Sequence, residues 1–162
     1  MSKRLIATFI CSAVGLIAAT GMAHSDTIGR YECNVVGSPT PEPLGDHAGH
    51  GLSSYQFSCL GLDGLLKGAV YSAINVAEWE GPQATFLLAG GVHRSAGGVA
   101  VTQMLEGSSS IIMKDGKPVG NTGTGKAIFK FGSGTLAALA GKTVKFTSKS
   151  TGLNRFELEF AE

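Results

Sequence analysis

Glycine interrupts this chain every several residues. There are 24 in 162 positions, and the stretches between them are short, β-branched or alternating. Glycine inside a helix costs about 1 kcal/mol against alanine, whereas tight turns make use of its freedom to adopt positive φ. The pattern therefore reads as strands joined by tight turns. Only 136–140 looks helical, for about one turn.

The expected strands follow from period-two alternation. Residues 28–36 form the first, and 37–51, with Pro39, Pro41 and Pro43, a long loop. In 52–60, Tyr55, Phe57 and Cys59 share a face. In 68–80, Val70, Ser72, Ile74, Val76 and Glu78 face one way, with Tyr71, Ala73, Ala77 and Trp79 on the other, before Gly81-Pro82 ends the run. Strands are expected at 83–92, 98–106 and 109–114, with a turn at 95–98. Asp115-Gly116 is a hairpin signal, since a type I′ turn needs positive φ at both central residues. In 126–132, Ala127, Phe129 and Phe131 oppose Lys126, Ile128 and Lys130. Residues 142–148 alternate Val144 and Phe146 with Lys and Thr, and in the last strand, 153–160, Phe156, Leu158 and Phe160 point inward. The sum is an all-β chain of eight or nine antiparallel strands in one domain, 24–162. Closure into a barrel removes exposed edges; a two-sheet sandwich is the competing architecture.

Residues 1–23 read as a cleavable signal peptide. Lys3 and Arg4 form a basic start, 5–19 is apolar and too short to span a bilayer, and small residues follow, with cleavage after Ala23 or Ser25. Cys11 belongs to that segment. No second apolar stretch follows, so no integral membrane segment is expected in the mature chain, which would be periplasmic or secreted. Taking Lys3 and Arg4 from the 13 basic residues leaves 11 against 12 acidic ones, without the surplus that nucleic-acid binding needs. The two remaining cysteines, Cys33 and Cys59, would meet an oxidising compartment and are expected to pair as a disulfide; soft metal ligation is the alternative.

The C-terminal half carries Gly123-Thr124-Gly125-Lys126-Ala127-Ile128-Phe129, then Gly132-Ser133-Gly134-Thr135-Leu136 and Leu139-Ala140-Gly141-Lys142. Over about 40 residues this resembles the allene oxide cyclase and dirigent type of eight-stranded, calycin-like barrel. The resemblance implies a barrel whose interior holds a hydrophobic ligand. It carries over no catalytic residue.

Three polar groupings are candidates for chemistry. Asp46, His47 and His50 lie within a glycine-rich loop, and imidazole with carboxylate suits Zn²⁺ or Cu²⁺. A further ligand would come from His93, Asp63 or an N-terminal His24; otherwise Asp46 merely caps a turn. Glu78 and Glu80 share a strand face and form a possible acid–base pair, or a solvated strand end. His93, at an expected strand end, is a candidate general base, with Arg94 as an anion contact, or else part of a polar turn. No Gly-x-Ser-x-Gly nucleophile turn or Gly-Lys-Ser/Thr phosphate loop occurs. The leading expectation is a small apolar ligand inside a barrel lined by Phe129, Phe131, Val144, Phe146, Phe156 and Leu158. The alternatives are a metal-binding protein using Asp46, His47 and His50, and a cyclase- or isomerase-like enzyme with a buried, shifted ionisable group in a pocket.

Overall fold

The computed structural model describes residues 27–162; the expected signal peptide, its cleavage site, Cys11 and His24 lie outside them. Nine antiparallel strands follow one another: β1 (Thr27–Val36), β2 (Glu42–Pro43), β3 (His50–Gly61), β4 (Val70–Glu80), β5 (Gln83–Ser95), β6 (Gly98–Lys114), β7 (Lys117–Gly134), β8 (Thr143–Gly152) and β9 (Arg155–Ala161). From β3 onward each pairs with the next. β1 pairs with both β9 and β3, closing an eight-stranded barrel. The two-residue β2 lies on β3 at Gly51 and Leu52, beyond the point where β1 pairing ends, and so covers an edge that would be open. No helix among the described residues is long and apolar enough to cross a membrane.

Alternation decides what lies inside. β4 buries Tyr71, Ala73, Asn75, Ala77 and Trp79 and turns the residues between them outward. One end of the barrel is plugged by Leu66 and Leu139, buried on short 3-10 turns at Gly64–Leu66 and Ala137–Leu139. The loop after β1, the β4–β5 turn, the β6–β7 hairpin and the β8–β9 turn gather at the other end. Cys33 and Cys59 sit directly opposite each other on β1 and β3 and form the expected disulfide across the closing seam.

Three sequence expectations change. The segments 98–106 and 109–114 are one strand, β6, and the glycine-rich 120–125 lies within β7 rather than between strands. Opposite one another across β6 and β7, Gly107 and Gly125 leave space for rings: a Cβ on Gly107 would sit 2.8 Å from Phe86, and one on Gly125 would sit 2.7 Å from Phe146. These glycines serve close packing rather than turning. Third, Phe131 is not in the lining but 53% exposed. Val101 pairs with Phe131 and the next residue, Thr102, with Phe129, so an irregularity at Lys130 breaks the alternation and flips the following side chain outward. Phe129, Val144, Phe146 and Leu158 are buried as expected and Phe156 is partly so. Asp115 and Gly116 both have positive φ, 51° and 73°, as the hairpin turn requires.

Candidate functional site

His47 and Asp46 belong to the strap, residues 37–49, that joins β1 to β3; His50 opens β3. Positive φ at Gly45 and Gly49 lets the strap double back. Gly49 accepts a hydrogen bond from the Gly81 N–H at 2.9 Å, and Leu44 donates to the His50 carbonyl, so the strap is fastened to the β4–β5 turn and to β3. Antiparallel pairing places His50 directly opposite Glu80 and Leu52 opposite Glu78. Trp79 points into the barrel, so the glutamates on either side of it point out, toward the strap.

Five side chains meet there. The His47 and His50 rings stack with centroids 4.6 Å apart and planes 15° from parallel. Asp46 lies along one edge of the stack: its oxygens are 2.7 Å from His50 Nδ1 and 3.3 Å from His47 Nδ1. The glutamates lie along the other: His50 Nε2 is 3.0 Å from Glu78 and 3.7 Å from Glu80, and His47 Nε2 is 3.1 Å from Glu80. Asp46 also accepts the His47 backbone N–H at 2.9 Å, so it caps the turn as well. Its contact with His50 holds the Asp46 carboxyl below its ordinary pKa. Asp46 first, then Glu78, raises that of His50. Among the described residues no lysine or arginine pairs with these three carboxylates; the cationic side chains that form ion pairs are matched to Asp63, Glu106 and Glu162.

The other candidates go elsewhere. Asp63 binds Arg30 through its guanidinium and its backbone N–H, and is no part of the cluster. Glu78 and Glu80 share an outward face as expected, but their partners are the histidines. In sequence the two motifs lie about 30 residues apart, and the β3–β4 register joins them. His93 is not in a turn: it lies two residues before β5 ends at Ser95, and it is fully buried. Tyr31 lies 2.7 Å from its Nδ1, Thr102 lies 3.2 Å from its Nε2 and 2.8 Å from the Tyr71 hydroxyl, and Tyr71 stacks on the ring at 3.8 Å. A neutral imidazole satisfies this arrangement, donating from Nε2 and accepting at Nδ1. Burial pushes its pKa down to about 3 and that of Tyr71 up to about 12.

The rings of Tyr31, Tyr71, Phe129 and Phe160 fill the interior around His93. What remains is an apolar cavity of about 50 Å³ between Phe57, Tyr71, Thr102, Met104 and Phe146, and a recess of about 90 Å³ at the open end between Tyr55, Phe86, Ser109, Asn121 and Phe156. Pockets for drug-sized ligands run to roughly 300–1,000 Å³. His93 is thus the buried, shifted group that an enzyme reading calls for, but the adjoining space is of water size rather than substrate size. Compared with known proteins, the chain matches no family model, no curated protein and no solved structure, and a barrel of eight strands does not assign it to the allene oxide cyclase or dirigent family.

Proposed function

We propose that this protein is an exported β-barrel that binds a divalent transition-metal ion, Zn²⁺ or Cu²⁺, at the Asp46, His47 and His50 strap. The observation that carries the reading is the convergence of two imidazoles with the carboxylates of Asp46, Glu78 and Glu80, to which no lysine or arginine among the described residues is paired. Neutral imidazole and ionised carboxylate are the ligands these ions take. The buried Cys33–Cys59 disulfide supports an oxidising destination, periplasmic or extracellular. The packed interior favours a surface site over a ligand inside the barrel. Calorimetric titration of the mature chain with Zn²⁺ and Cu²⁺ tests the reading. One ion per chain with a Kd below about 100 µM is expected, lost in the His47→Ala/His50→Ala double variant. Weaker binding, or binding unchanged in that variant, rejects it.

A further inference from the structure

We infer that the ion is held by Nε2 of His47, Nε2 of His50 and the carboxylates of Glu78 and Glu80, and that Asp46 is a positioning residue outside the coordination sphere. This rests on the metal-binding reading and assigns the roles within it. The stacked rings offer two edges, and an ion can take only one. On the Nδ1 edge stands one carboxylate, already hydrogen-bonded to a backbone N–H and 2.7 Å from His50 Nδ1. On the Nε2 edge stand two carboxylates, Glu78 beside His50 and Glu80 beside both rings, so four donor groups line that edge where three line the other. Ligands about 2.0–2.2 Å from a tetrahedral ion lie ~3.3–3.6 Å from each other. The Nε2-to-carboxylate distances of 3.0, 3.1 and 3.7 Å bracket that spacing. The rings, 4.6 Å apart and 15° from parallel, must turn relative to each other before both in-plane Nε2 lone pairs can point at one ion.

Support differs between the edges as well. Glu78 and Glu80 project from a paired strand in the barrel wall, which is a firmer platform than a loop. An Nδ1–H donating to a carboxylate is the usual outer contact of a metal-bound histidine, fixing tautomer and ring orientation. Asp46 makes this contact with His50 at 2.7 Å and lies 3.3 Å from Nδ1 of His47. The ion would then join two ligands at the strap to two on the wall.

The test uses the mature chain, Zn²⁺ and three single variants, Glu78→Gln, Glu80→Gln and Asp46→Asn. All three side chains are on the outer surface, so the circular dichroism spectrum in the absence of metal should match the parent's. ¹⁵N NMR of the histidine rings is expected to show Zn²⁺ on Nε2 of both, with Nδ1 protonated. In Asp46→Asn the Nε2 signature persists while affinity falls roughly tenfold. In each glutamine variant affinity falls roughly tenfold or more, and the Co²⁺-substituted protein changes its d–d spectrum. Zn²⁺ on Nδ1 of either ring overturns the assignment, as does undiminished affinity in both glutamine variants. A parent chain that binds no Zn²⁺ instead removes the metal-binding reading itself.

Discussion

His50 and His93 put the same imidazole in opposite surroundings. His50 has carboxylates at both ring nitrogens, and its pKa is raised. Its contribution to stability is therefore complete below the ordinary histidine value and disappears as pH rises through the raised one. His93 meets only hydroxyls and rings, and its folded pKa is near 3. Between the ordinary value of about 6.5 and 3, the unfolded chain takes up a proton that the native protein refuses. Falling pH then costs about 1.4 kcal/mol per unit over that window. Urea unfolding from pH 7 to pH 4 should show this slope, and His93→Gln should flatten it while lowering stability at pH 7 by about 1–3 kcal/mol through the disturbed hydrogen bonds. An acid slope unchanged in the variant would reject the assignment. Neither environment can be read from the sequence. Alternation does place His93 on the face of β5 opposite Val92 and Arg94, but Gly90, Gly91, Gly97 and Gly98 around it read as a strand end running into a polar turn. The partners Tyr31 and Thr102 lie 62 and 9 positions away.

At the scale of elements, the strands that alternate cleanly were legible: β4, β8 and β9 appear with the faces their sequences give. β6 and β7 were not, because glycine signals a turn and close packing alike. Gly107 and Gly125 are inside strands because the space a side chain would need is taken, at Gly107 by Phe86 and at Gly125 by the Glu106 carbonyl as well as Phe146. Gly125→Ala should therefore destabilise by about 1–3 kcal/mol, whereas Gly116→Asn in the hairpin should cost less than 1 kcal/mol, since asparagine tolerates positive φ. Chemical denaturation of the two variants checks the ordering. The candidate site was half legible. The strap announces itself by composition, while the glutamates became visible as partners only through register. The residue numbers of every β3–β4 pair add to the same value. The register is therefore centred on Leu65, within the Gly64–Leu66 turn, a centre that the sequence does not mark.

For the whole molecule, closure depends on β1, which among the described strands pairs with both β3 and β9. The disulfide lies on one of those seams, joining residues 26 apart. Cross-linking a loop of that length stabilises by about 3–4 kcal/mol in the chain-entropy model. Adding a reductant, or replacing both cysteines by serine, should move the urea midpoint down accordingly; an unchanged midpoint would mean that the seam holds without it. The other seam, β1 against β9, joins the two ends of the described chain. Synthesis delivers those ends far apart in time. Until the final strand arrives, a nascent chain displays two naked flanks, one on β1 and one on β8, each able to recruit a neighbouring molecule. Cysteine oxidation needs nothing beyond residue 59, so it can lock the first part of the wall early and leave a single slot, shaped for one strand, waiting for the tail.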